Sequence, residues 1–170
     1  MNGFKEINAT EVENSVKLIG SEWMLITAGD GENINCMTAS WGSLGVLWNK
    51  NVCTCFIRPQ RHTFGIVEKT DRISFSFFGE GYRKELSFCG SRSGRDTDKF
   101  AETGLSVSFV NETPIINEAR LVLVCRKLYA DFIKKENFVD PALLSNYKYG
   151  DFHKFYVCEI EKVLLKAEEV

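Results

Sequence analysis

Residues 89 to 96 read CGSRSGRD. A cysteine with an arginine six places on is the skeleton of a cysteine-phosphatase loop. There a low-pKa thiolate ends a buried strand, and backbone N–H groups and the arginine form an anion cup at a helix N-terminus. The surroundings fit that chemistry poorly. The preceding GEGYRKELSF is charged and helical in pattern rather than a buried apolar strand. Asp96 follows Arg95 directly and would set a negative charge against a reacting phosphate. With six cysteines and eight arginines in 170 residues, the Cys89-to-Arg95 spacing arises by chance in roughly one such chain in four. The stretch is not a GxxxxGK[ST] phosphate loop either. A passive use of the same residues needs no nucleophile. Gly90 and Gly94 let backbone approach a ligand, Ser91 and Ser93 offer hydroxyls, and Arg92, Arg95 and Lys99 add positive charge. Lys99 falls in the first turn of an expected helix, where the macrodipole disfavours a cation. Pairing with Asp96 or Asp98, or reach to a bound anionic group, would each account for it.

Two more segments carry binding chemistry. NCMTASWGSLGVLW (35–48) gathers Asn35, Thr38, Ser40, Ser43, two glycines and two tryptophans in fourteen residues. Small hydroxyl side chains and glycine let a flat ligand lie against backbone N–H and C=O groups, and Trp41 can supply an apolar wall. A Gly/Ser-rich turn between strands would read the same way. IRPQRHTF (57–64) places Arg58, Arg61, His62 and Thr63 at a strand end. Arginine forks suit phosphate, each charge-assisted hydrogen bond contributing roughly 1.5–3 kcal/mol where water is excluded; a solvated basic turn is the alternative. Three such patches in one acidic chain favour a planar, phosphorylated ligand.

The elements that must hold these patches are mostly strands. WMLITA (23–28), NVCTCFI (51–57), RISFSFF (72–78), LVLVCRKLYADFI (121–133) and KFYVCEIEKVLL (154–165) are rich in β-branched and aromatic residues, with two-residue alternation in RISFSF and YVCEIEKV. Short helices are expected within 60–70, around Tyr82, Leu86 and Cys89, and over DTDKFAETG, capped by Asp96 and stopped at Gly104. The glycine-rich section 79–95 is expected as a surface loop. Several short strands in one domain point to a sandwich or closed barrel. The chain is long enough for one domain, residues 1–170, with a real core. Its net charge of -2 supplies no field for nucleic acid or anionic membrane, and no apolar run could span a bilayer. The polar N-terminus lacks a secretory h-region, so a cytoplasmic protein is expected. The six cysteines form no C-x-x-C pair, and with two histidines they read as reduced, buried thiols rather than a metal set.

Together, NCMTASWGSLGVLW, RPQRHTF, ISFSFF, CGSRSGRDTDKF and GDFHKFYVCEI resemble the flavin reductase-like family, in its flavoredoxin branch, over roughly residues 20–165. The resemblance implies a mainly β, Greek-key split β-barrel with a few short helices that binds FMN, usually as a homodimer. Carried over by motif, Asn35, Thr38, Ala39, Ser40 and Trp41 would contact the isoalloxazine, while Arg58, Arg61 and Thr63 would serve the phosphate and ribityl end. Ser91 and Ser93 would add contacts from the small-residue loop. Lys99 and His153 would lie near the ring as catalytic residues, Lys99 stabilising the anionic reduced flavin. His62 stands where an aromatic is expected. The implied activity is an FMN-dependent oxidoreductase taking electrons from NAD(P)H or a redox protein to free flavin or a small acceptor. A flavin-storing, non-catalytic barrel is the alternative. No GxGxxG fingerprint is present, so nicotinamide would stack transiently on the flavin.

Overall fold

The computed structural model describes residues 4–12, 14–31 and 33–167. The runs rich in β-branched and aromatic residues pair antiparallel into one eight-stranded sheet. Its strands are β1 (Phe4–Ile7), β2 (Met24–Asp30), β3 (Asn33–Ala39), β4 (Gly42–Leu47), β5 (Lys50–Ile57), β6 (Arg72–Phe77), β9 (Leu121–Phe132) and β10 (Lys154–Lys166). A separate hairpin is made by β7 (Val107–Val110) and β8 (Thr113–Ile116). The order across the sheet is β3-β2-β6-β9-β10-β5-β4, with β1 also on β10. β3 and β4 follow one another in sequence, with only Ser40 and Trp41 between them, yet stand at opposite ends of that order. The sheet is therefore curled but not closed by hydrogen bonds, and the covalent link spans the split.

Alternation along the strands separates two apolar clusters. Inside the curl, Met24, Ile26, Phe75, Phe77, Leu121, Leu123 and Tyr156 are buried with Met37 and α1. On the outside, Leu25, Cys36, Val122, Val124 and Leu164 are covered by α2 and the β7–β8 hairpin. Cys36 and Met37 of β3 thus belong to opposite faces, as the two-residue period requires. Cys53 and Cys158 oppose each other across β5 and β10. All six cysteines are free and buried, as the sequence suggests.

Three helices fill the gaps: α1 (His62–Lys69), α2 (Arg83–Ser91) and α3 (Lys99–Thr103). The α3 cap is Asp98, not Asp96: its carboxylate accepts from the N–H groups of Phe100 and Ala101, while Gly104 ends the helix in the left-handed region at φ 70°. The helix expected around Tyr82, Leu86 and Cys89 is α2, and it takes up much of the 79–95 section expected as a loop. Leu86 and Cys89 bury one face of α2, and Gly90 lies inside its last turn. Glycine serves here for contact rather than for turning, since a Cβ at position 90 would lie 3.2 Å from the Cβ of Thr38. Among the described residues no helix is long and apolar enough to cross a membrane.

Candidate functional site

At the split, the chain leaves the sheet ladder. β3 pairs only with β2, so its other edge carries backbone groups outside any ladder, and Ser40 and Trp41 belong to no strand. A cleft of about 340 Å³ opens there. Met37, Thr38 and Ala39 come from β3, Ser40 and Trp41 from the link, and Phe56 from β5. The turn into α1 adds Arg58, Gln60 and Arg61, and the start of β10 adds His153. Seven residues expected at the site from three distant stretches, Thr38, Ala39, Ser40, Trp41, Arg58, Arg61 and His153, therefore share one cleft.

The two arginines are held differently. Arg58 is ion-paired with Asp151, and its Nη2 donates to the Asn146 carbonyl at 2.9 Å. Gln60 Nε2 donates to the same Asp151 carboxylate at 2.8 Å. These hydrogen bonds hold the Asp151 carboxyl below its ordinary range. Arg61 donates to the Gly90 carbonyl at 2.8 Å, and no carboxylate lies within ion-pairing distance of it among the described residues. Burial, and then the neighbouring Arg58 charge, lower its pKa. A half-buried guanidinium with a second cation beside it is an arrangement that an anion would relieve.

His153 is buried, with Trp41 packed at 5.1 Å between ring centroids and Phe56 edge-on. Tyr147 Oη is 2.9 Å from Nδ1. Burial, and next the Arg58 charge, lower the imidazole pKa to about 4, so the ring is neutral at pH 7. Trp41 stays about half exposed, at 46%. It can therefore act as a wall for a planar group and still be reached.

The remaining expected residues lie elsewhere. Asn35 and Lys99 line a second hollow of about 550 Å³ together with His62 and Gly94. Asn35 Nδ2 donates to Oγ1 of the buried Thr63 at 2.8 Å. The Lys99 amine is buried and donates to the carbonyls of Cys36 and Cys89, both at 2.8 Å. It pairs with neither Asp96 nor Asp98; burial lowers its pKa. A side chain at Gly94 would run into the Asn35 carboxamide. Ser91 and Ser93 line neither hollow: Ser91 donates to the Phe88 carbonyl, and Ser93 accepts from the Arg95 N–H.

No phosphatase cup forms around Cys89. Its sulfur lies 3.7 Å from that of Cys36 at the C-terminal end of α2, and Arg95 donates to the Gln60 carbonyl. Sequence reasoning missed Phe56, Gln60, Tyr147 and Asp151. The only available signal was the GDFH stretch, where an acid precedes the histidine by two.

An unclosed antiparallel barrel with an aromatic and basic cleft at its split narrows the class to split β-barrel proteins, and family comparison specifies which. Residues 16–170 match the model of the flavin reductase like domain, and the chain belongs to that family. The fold is shared with the flavoredoxin of Methanosarcina acetivorans (22% identity, TM-score 0.67, covering 96% of this chain and 77% of the other). It is shared too with an FMN-binding protein of Thermus thermophilus solved with p-hydroxybenzaldehyde (20%, 0.68, 96% and 82%). The styrene monooxygenase flavin reductase of Pseudomonas putida S12 is a further relative in fold (12%, 0.61, 84% and 77%). No curated protein sequence matches the chain.

Proposed function

We propose that the chain is an FMN-dependent oxidoreductase that passes electrons from NAD(P)H or a redox protein to free flavin or a small acceptor. The observation that carries this reading is the half-buried Arg61, without a carboxylate partner among the described residues, in the same cleft as the unladdered edge of β3 and the half-exposed Trp41. The donor set fits the cofactor. Backbone and hydroxyl groups of Thr38, Ala39 and Ser40 suit the polar edge of an isoalloxazine, Trp41 its face, and Arg58 and Arg61 a phosphate dianion. Asn35 and Thr63 brace the inner end of β3, and Lys99 retains one N–H for an anionic edge after its two carbonyl bonds. Ser91, at the end of α2, and Ser93 would add contacts from the small-residue segment, outside both hollows.

When bound, the flavin supplies the two-electron chemistry. The chain binds and orients. Trp41 and Phe56 exclude water from one side of the cleft, and neutral His153 offers a polar ring atom without adding a third cation beside Arg58 and Arg61. The likeness in fold to a flavoredoxin and a flavin reductase supports this reading. The same proposal includes a homodimer. Val46, Leu47, Trp48 and Tyr129 are exposed apolar residues on the β4–β5 and β9 side of the sheet, a surface suited to a second copy.

The test is an absorbance spectrum of the purified chain during FMN titration and then anaerobic NADH and NADPH addition. Saturable FMN uptake followed by bleaching is expected. A chain that takes up no FMN sinks the proposal. FMN uptake with no bleaching by either nicotinamide leaves a redox protein as donor, tested next with reduced ferredoxin; no bleaching there makes the chain a passive flavin binder.

A further inference from the structure

Which nitrogen of His153 carries the proton determines whether the cleft receives a donor or an acceptor. The answer lies in the segment between β9 and β10. There Asp140 caps a 3₁₀ turn, Pro141–Tyr147, by accepting from the Ala142 N–H, and the turn delivers Tyr147 beneath the cleft. The Tyr147 ring is fixed on three sides. Phe152 stacks on it at 4.7 Å with a 19° interplanar angle, Phe138 packs edge-on, and the Arg58 guanidinium lies over the ring at 5.3 Å. His153 is pinned separately, its carbonyl accepting the Ile133 N–H at 2.9 Å. Two immobilised rings thus meet through one hydrogen bond, Tyr147 Oη to His153 Nδ1.

The direction of that bond follows from counting acceptors. The Tyr147 hydroxyl hydrogen has His153 Nδ1 as its one acceptor among the described residues. If Nδ1 carried the proton and donated, the buried hydroxyl would be left with an unused donor, the costlier arrangement. The hydroxyl also has no tendency to ionise, since burial raises its pKa. The charged groups facing the pair are Arg58 and Asp151, which are ion-paired with each other. Neither accepts from the hydroxyl or the imidazole.

We propose that Tyr147 is a positioning residue that donates to Nδ1 of His153, locks the ring as its Nε2–H tautomer, and so presents the cleft with an uncharged hydrogen-bond donor. Its functional meaning rests on the reading of the cleft as a flavin site: an N–H donor would favour electron-rich atoms of a reduced cofactor or an incoming acceptor without repelling the Arg58 and Arg61 cations. The arrangement also accounts for the conformation of 141–153, which otherwise only buttresses the barrel. Asn146, Tyr147, Asp151 and His153 all contact the basic turn or the cleft from that one segment.

The test is nitrogen-15 NMR of the flavin-free chain at pH 7, reading each ring's protonation from its long-range couplings. The chain has two histidines, and His62→Gln assigns them. The expected result is a His153 ring protonated on Nε2 and bare on Nδ1. In Tyr147→Phe, which keeps the ring contacts, the tautomers should mix. The FMN-loaded variant should bleach about tenfold more slowly with NAD(P)H or its redox-protein donor, at unchanged FMN affinity. A wild-type proton on Nδ1 overturns the proposal, as does a tautomer population that Tyr147→Phe leaves unchanged, or an unchanged bleaching rate. Because the tautomer is read without flavin, failure of FMN binding would remove the proposed function and still leave the Tyr147–His153 bond decided on its own measurement.

Discussion

The two hollows beside β3 contain similar residue types and use them in opposite ways. In the cleft at the split, Arg61 has no carboxylate partner among the described residues, the link at Ser40 and Trp41 lies outside the ladder, and Trp41 is half exposed. Around Asn35 and Lys99, the polar groups are spent internally: amide on hydroxyl, amine on two carbonyls, and Gly94 pressed against the amide. Polar groups whose bonding capacity is unspent are available to a ligand, whereas those already bonded hold the fold, because a buried group released from its partner costs as much as the bond it made. Lys99 is thus first a cross-link, tying β3 to α2 and α3.

That contrast predicts its own failures. Lys99→Met keeps the stem and removes the amine, leaving the Cys36 and Cys89 carbonyls without it. Stability should fall by about 3 kcal/mol, read as a lower urea midpoint, with weaker FMN binding as a consequence; an unchanged midpoint would erase the distinction between the hollows. The cleft's own stability signature is a pH effect. His153 stays neutral in the folded chain down to about pH 4, while an unfolded histidine protonates near its ordinary 6.5. Between those values the unfolded chain binds the extra proton, so stability drops as pH is lowered from about 6.5 to about 4, by at most about 3 kcal/mol. His153→Asn should flatten that part of the profile in thermal melts across pH.

Arg61→Ala should do the reverse of Lys99→Met. FMN affinity falls roughly tenfold to hundredfold, the loss of one charge-assisted phosphate contact, while the urea midpoint falls less than in Lys99→Met, since the Gly90 carbonyl alone loses its donor; titration by flavin fluorescence quenching reads it. The smallest effect is expected at the seam between the hollows. In Gly90→Ala the helix-propensity gain of up to about 1 kcal/mol opposes the squeeze on Thr38. Stability then stays within about 0.5 kcal/mol, and any change appears in FMN affinity. A loss above 2 kcal/mol would mean that α2 cannot yield at Thr38.

Strands β2, β5, β6, β9 and β10 were legible because their apolar residues alternate or run continuously over five or more positions. β3 and β4 were not, since Asn35, Thr38, Gly42, Ser43 and Gly45 imitate a turn. Their strand character comes from pairing with β2 and β5 rather than from propensity. The β4–β5 hairpin was hidden too. Its turn places Trp48 and Asn49 at φ 52° and 56°, positions that usually announce themselves with glycine. The helical spacing of Tyr82, Leu86 and Cys89 made the buried face of α2 legible, but its last turn was misread as part of a loop because Gly90 and Ser91 look like turn residues. Their smallness is explained by the close approach of Thr38, a contact 52 positions away in the chain.

By itself the sequence determined the chemistry available: arginines after β5, a small hydroxyl-rich stretch with Trp41, a lysine after CGSRSGRD, a histidine after GD, and motifs that resemble the flavin reductase-like family. Those are properties of residue type and local spacing, and they survive any arrangement of the chain. Only the tertiary structure decided which groups are free. It gathered seven of the expected residues at the split of the barrel, committed Lys99 and Asn35 to internal bonds, and set Tyr147 under His153. The physical reason is that hydrogen-bond satisfaction is non-local: whether Arg58, Arg61 or Lys99 has capacity left for a ligand depends on carbonyls and carboxylates that folding brings from 10 to 93 residues away.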